Sequence, residues 1–232
     1  KIQYMMDEPL SNPSVIPLYY LSKLAKENTD LVISGEGADE FFGGYFEYEE
    51  ADEIKKYKKV PSLIRKSLGN ISKSLPVGFR GRNFLIKGGL EVEDYYIGQA
   101  KIFGEKEAES ILNKAYKTSL SIKDITNPIF SQVEDYSDLT KKQYLDLHLW
   151  MPNDILLKAD RMSMAHSLQV IMPLVTKDMF GIASQLPDEY KIDGNQVKKA
   201  FRLASLRNLP KEWANRKKIG FPVPIYHWIK EK

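Results

Sequence analysis

The sequence predicts an α/β protein, mostly α-helical, that holds a remnant of a parallel sheet. Three observations predict this. Asp30 to Ser34 is a short, β-branched, apolar run that reads as a buried strand. Gly35 and Gly37 punctuate a turn directly after it. Helical apolar spacing lies on both sides of that strand and turn. Helix, strand, glycine turn and helix are the grammar of a parallel sheet, whose ligands bind beyond the carboxyl ends of the strands.

The elements follow in order. Residues 7 to 13 read as a loop, because two prolines break regular structure. Ser14 is a candidate N-cap for a helix reaching about Glu27, with Ile16, Tyr20, Leu21 and Leu24 at helical spacing. A further helix begins near Ala38. Other helices are expected near 61–75, 104–118, 137–150, 153–167, 176–185, 196–207 and 223–231, and residues 76 to 90, rich in glycine, as a long loop. The chain divides into an α/β part, 1–50, and a mainly helical part, 51–232. A buried parallel strand needs neighbours. Lys1 to Tyr4 is a second strand candidate, and the missing strands are expected upstream of Lys1.

Composition narrows the function classes. The 232 residues are 43% hydrophobic and 28% charged, the balance of an ordinary globular chain. A net charge of +3 is too small to argue for nucleic acid. Ten Lys or Arg lie between Lys55 and Lys87 with no acidic residue, and read as solvated helix faces. Eight lie between Lys198 and Lys218 against Glu212 alone. The absence of cysteine rules out disulfides and thiolate chemistry and suits a cytoplasmic location. No apolar stretch is long enough for a membrane span, so no membrane partner is expected.

Three motifs carry chemistry. The first is Ser34-Gly35-Glu36-Gly37-Ala38-Asp39-Glu40. Acidic residues at a helix start are favoured by the helix dipole, which suffices for Glu40. Glu36 lies between two glycines, where the backbone can bend close to a ligand, and its carboxylate can take a proton. Asp39 can offer oxygen to Mg²⁺, a hard cation. The amides of Gly35 and Gly37 are free to hydrogen-bond a nucleotide.

The second motif is Leu156-Leu157-Lys158-Ala159-Asp160-Arg161-Met162-Ser163-Met164-Ala165. Asn153 or Asp154 can cap this helix, with Pro152 just outside. Lys158 and Arg161 are three apart and share a face. Charges on so apolar a helix need partners. The two readings are a structural ion pair with Asp160 and an anion site for phosphate. Met162 and Met164 are expected in the core.

The third motif is Arg216-Lys217-Lys218-Ile219-Gly220-Phe221-Pro222-Val223-Pro224, a run of cations ahead of a glycine turn. Lys198 and Arg202, four apart, are expected to support the fold or the surroundings of the site. His148, His166 and His227 have no ligand spacing, so no zinc is expected.

Asp7-Glu8-Pro9, the run Asn12 to Ser22 and the run Ser34 to Tyr45, with the second and third motifs, resemble the synthetase domain of class B, glutamine-hydrolysing asparagine synthetases. The resemblance implies the C-terminal part of an adenine nucleotide alpha hydrolase-like fold, a doubly wound parallel sheet of the PP-loop ATP pyrophosphatase kind. It implies ATP and Mg²⁺ as cofactors. The side-chain carboxylate of aspartate attacks the α-phosphate, giving an acyl-adenylate and pyrophosphate. Ammonia, supplied from glutamine by a glutaminase domain, then displaces AMP. In that scheme Glu36 is the base, Asp39 the metal ligand and Lys218 the catalytic cation, with Lys217 as fallback. Ser34, Gly35 and Arg161 contact the nucleotide. The resemblance leaves room for a homodimer.

The sequence also departs from the family. The glutaminase half begins with a nucleophilic Cys, and no Cys is present; the Ser-Gly-Gly-x-x-Ser phosphate loop is missing too. The chain by itself is therefore expected to be inactive and part of a longer enzyme. Where the family runs Glu-x-Arg-x-Pro-Phe-Leu-Asp, this chain has Gln169-Val170-Ile171-Met172-Pro173-Leu174-Val175-Thr176. That change either removes one ion pair or marks another acceptor, such as a sugar acid or a peptide carboxylate. A non-catalytic helical interaction module and a nucleic-acid binder are the remaining readings.

Overall fold

Strand β1 (Leu31–Ile33) forms within the expected run and pairs in parallel with β2 (Gln169–Ile171), register Leu31 to Gln169 and Ile33 to Ile171. The structure is a computed structural model. It describes every residue except Ser11, Val77, Ala100, 117–119, Asn195, Ile219, Phe221 and Lys232. The end of the 104–118 helix and two positions of the third motif thus lie outside the described residues.

The chain forms two units. The first comprises Lys1–Gly44 with Asp146–Lys232, and the second Tyr45–Leu145. The expected division at residue 50 follows element type. The first compact unit instead draws on two separate stretches of the chain, and β1 from one pairs with β2 from the other.

In the first unit, the Val15–Lys26 and Leu157–Met164 helices pack through Met6, Val15, Tyr19 and Met162, all buried. Met6 and Met162 are almost fully enclosed, and burial of such side chains contributes roughly 1.5–3 kcal/mol each. A second core joins Phe41, Phe42, Met151 and Ala183. A short antiparallel pair, β3 (Ile192–Asp193) and β4 (Gln196–Val197), precedes the Lys199–Ser205 helix. No helix among the described residues is long and apolar enough to cross a membrane.

Several expectations are corrected here. Ile2–Met5 is a helix, not a strand, and lies against the Val15–Lys26 and Leu157–Met164 helices. β1 is not buried: Leu31 is 43% exposed and Ile33 74%, because β2 is its sole sheet neighbour among the described residues. The buried face of the Val15–Lys26 helix is Val15, Tyr19 and Ser22, whereas Tyr20, Leu21 and Leu24 are exposed. Ser14 is helical in backbone and caps nothing through its side chain; Asn12 Oδ1 accepts its N–H instead. Met164 is exposed.

Asn153 and Asp154 do not cap a helix. They belong to a π-helical turn, Met151–Leu156, that runs into the Leu157–Met164 helix. Pro152 has no N–H to offer an α-helical turn, and a wider turn of this kind re-aims side chains. Asp154 is buried as a result.

The second unit is helical. Its helices include Asp52–Tyr57, Ser62–Lys73, Ile122–Phe130 and most of Asp138–His148, and Val92, Phe130 and Leu145 are buried in it. The loop expected at 76–90 contains a helix, Arg82–Gly88. Its glycine end allows close contact with Ser62–Lys73: a methyl at Gly89 would stand 2.7 Å from the Arg65 carbonyl.

Candidate active site

The site begins where β1 ends. Ser34 N–H donates to the Ile171 carbonyl at 2.8 Å, extending the parallel ladder by one residue. The Ser34 hydroxyl then accepts the Glu36 N–H at 3.3 Å and curls the turn. Gly35 has open space on its Cβ side. Gly37 has φ +90°, and a methyl there would lie 2.8 Å from Val175 Cγ2. A left-handed backbone with no room for a side chain selects glycine. The Ala38–Phe42 helix follows, anchored by Phe41 and Phe42 in the core.

Asp39 projects from that helix and the chain returns over it. Gly44 N–H donates to the Asp39 carbonyl at 2.7 Å, and a methyl on Gly44 would fall 1.7 Å from Asp39 Oδ1. Two lysines reach the same oxygen: Lys198 Nζ at 2.9 Å and Lys218 Nζ at 3.2 Å. Lys218 also donates to the Gly44 carbonyl at 2.8 Å. Asp39 Oδ1 is buried yet makes no directed hydrogen bond. Both lysines therefore act on it at ion-pair distance, off its lone-pair directions.

Lys198 was expected to support the surroundings. The structure places it in direct contact with Asp39. Its own φ is +56°, uncommon for a lysine, and its N–H donates to the Gly43 carbonyl at 3.3 Å. Arg202 does play the supporting part. Its guanidinium donates to the carbonyls of Val197, Ala214 and Arg216, tying the Lys218 segment to the Lys199–Ser205 helix. Lys217 is exposed.

Glu36 is half-buried, and burial pushes its carboxyl above the ordinary 4.5. Lys158 opposes that shift, while Asp39 and Asp154 add to it. Lys158 is itself buried and pairs with Asp154 at 2.8 Å, not with Asp160, which is exposed. Asn12 donates to the same Asp154 oxygen at 2.9 Å. The i, i+4 geometry decides the partner: Asp154 lies one turn below Lys158 on the buried face.

Arg161 does not join this group by any described contact. It is 42% exposed and pairs at 2.7 Å with Asp7, whose φ is +61°. The altered positions Gln169 and Ile171 lie on one side of β2, two residues apart, and both are exposed. Thr176 accepts the Met179 N–H at 3.2 Å and caps the Lys177–Ser184 helix, a role open to Asp as well.

Among the described residues no group of three His, Cys, Asp or Glu is placed to hold a metal. Asp39 nonetheless fits the lesser demand of Mg²⁺, which commonly takes one or two carboxylates and completes its shell with phosphate and water. Its Oδ1 is buried and makes no hydrogen bond, and a bound ion would take the place that the two lysine ammoniums share at that oxygen.

An acidic glycine turn thus stands at the carboxyl end of a strand, and two lysines meet one of its carboxylate oxygens. The asparagine synthase family model matches residues 1–232, and the chain belongs to that family. It is 44% identical over 232 residues to asparagine synthetase [glutamine-hydrolyzing] 1 of Bacillus subtilis, covering 100% of this chain and 37% of that protein. It is 36% identical over 230 residues to a putative asparagine synthetase [glutamine-hydrolyzing] of Mycobacterium tuberculosis, covering 99% of this chain and 35% of the relative. The chain thus spans little more than a third of these relatives' length. No solved structure matches it significantly.

Proposed function

We propose that the full-length protein makes asparagine from aspartate, ATP and glutamine-derived ammonia, and that this chain contributes the carboxylate turn and fixed cations of the synthetase site. The observation that carries the reading is the meeting of Lys198 and Lys218 on Asp39 at the carboxyl end of β1. The fold proposed for the whole domain is the doubly wound parallel sheet of adenine nucleotide alpha hydrolases, of which β1 and β2 are two strands.

Adenylation places negative charge on the α-phosphate and the departing pyrophosphate. Lys218 and Lys198 are preorganised to meet that charge, since each is held by the protein before any ligand arrives. Asp39 is the residue that would hold Mg²⁺, which neutralises phosphate charge when bound. Ser34 and Gly35 offer the nucleotide an open stretch of backbone. Arg161, paired with Asp7 here, is the further cation assigned to the nucleotide.

The second step attaches ammonia to the acyl carbon, releases AMP and leaves one surplus proton on nitrogen. Glu36 takes that proton. Burial raises its carboxyl toward the range where a base works near neutral pH. Glu36→Gln in the full-length protein is expected to lower amide formation by about 10²–10⁴ while ATP–pyrophosphate exchange persists and the fold survives. Unchanged turnover would remove Glu36 from the reaction. The same base sets the acid limb of the rate profile: activity should fall at a pH above the ordinary 4.5 of glutamate, as Glu36 becomes protonated.

A further inference from the structure

The Tyr45–Leu145 unit holds a cavity of about 450 Å³ that the proposed reaction does not use. Tyr95, Tyr96 and Phe46 supply aromatic wall, Glu47 and Glu49 supply carboxylates, and Lys142 also lines it. Lys142 is 2% exposed. Its ammonium donates to the Glu47 carbonyl at 3.0 Å and the Tyr48 carbonyl at 3.4 Å, and lies 5.7 Å from the ring centres of both Tyr95 and Tyr96.

A buried ammonium ordinarily sits beside a carboxylate. Among the described residues Lys142 forms no ion pair, and neither do Glu47 and Glu49. The nearby acids Glu50 and Asp138 are both engaged by Lys58, at 2.8 and 2.5 Å. The charges facing Lys142 are therefore Glu50 and Asp138, which favour its protonation, and Lys58 and Lys87, which oppose it. Burial outweighs them and lowers its pKa to about 8. Tyr95 stays neutral, its phenol pushed up to about 12 by burial. Lys101, on the same wall, donates to the Tyr95 carbonyl.

One cavity, whose wall also carries Glu50, Lys87 and Lys101, thus presents a buried ammonium and two carboxylates that form no ion pair among the described residues, beside aromatic faces. We propose that it binds a small zwitterion, a free α-amino acid, whose carboxylate pairs with Lys142 and whose ammonium is held by Glu47 and Glu49. The inference is independent of the synthetase reading, because none of these residues belongs to that site.

The test is calorimetric titration of the full-length protein with glycine, acetate and methylamine. Glycine is expected to bind about tenfold or more tightly than either single-charge probe. Lys142→Met should weaken glycine by about tenfold, and the double variant Glu47→Gln/Glu49→Gln should bring glycine down to the level of acetate. Glycine affinity should also fall as pH rises through about 8, where free Lys142 loses its proton. Glycine binding no tighter than acetate, or equal in wild type and the Glu47/Glu49 variant, overturns the proposal. If Lys142→Met does not fold, the Glu47/Glu49 variant and the pH profile of the unaltered protein decide. Amide formation is measured alongside. A protein that binds glycine but makes no amide sinks the synthetase reading alone, and one that makes amide but ignores glycine sinks this one alone.

Discussion

Two ion clusters in this chain are charge-inverted counterparts. In the first unit, two lysines, Lys198 and Lys218, share one oxygen of Asp39. In the second, two carboxylates, Glu50 and Asp138, share Lys58. The second cluster is complete in itself. Burial works against the Lys58 charge, yet bonds to Asp138 and Glu50 raise its pKa above 10.5, and it holds the Asp52–Tyr57 helix to the Asp138–His148 helix. The first cluster carries a surplus of positive charge around a buried oxygen, and an anion from outside would balance it.

The comparison breaks most sharply at Lys218. Lys218→Met in the full-length protein should lower ATP–pyrophosphate exchange by about 10²–10³ with little change in melting temperature. Equal loss of stability and activity would make the first cluster a staple like the second. Lys58→Met is the converse experiment. It should destabilise by about 2 kcal/mol and leave exchange unchanged. That figure sits below the ~3–5 kcal/mol of a fully buried pair, because the Asp138 side chain is 35% exposed. Chemical denaturation of the two variants side by side separates the cases.

Gly37→Ala should cost roughly 1–2 kcal/mol, from a left-handed backbone and contact with Val175, and should also displace Glu36. A variant as stable and active as wild type would show that the turn tolerates a side chain. The smallest expected effect is one of pH. Lys142 binds its proton more weakly folded, at about 8, than unfolded, at 10.5, so its contribution makes stability rise between those values. Lys191, lowered by burial, acts in the same direction. Lys58, raised, contributes stability below 10.5 that is lost only at still higher pH. A rise in melting temperature on the order of 2 °C between pH 8 and 10, reduced in Lys142→Met, would match.

Much of the helical structure was legible. Ser62–Lys73, Asp138–His148, Lys177–Ser184 and Ile225–Lys230 all form inside or close to their expected ranges, because periodicity and propensity act over a few residues. The Arg82–Gly88 helix was hidden by glycines that serve close packing rather than a loop. β2 was hidden because three residues carry almost no periodic signal, and its pairing depends on β1, far away in the chain.

The same line divides the candidate site. Sequence alone determined the chemistry on offer: a glutamate displayed between two glycines, an aspartate one turn later and a basic run from Lys198 to Lys218. Tertiary structure decided which of those cations meet the aspartate. It chose Lys198 with Lys218 for Asp39, gave Asp154 to Lys158, and sent Arg161 to Asp7. Local spacing reports neighbours three or four residues apart on a helix. A carboxylate's decisive partners arrive from distant segments, and their positions are set by the packing of whole elements.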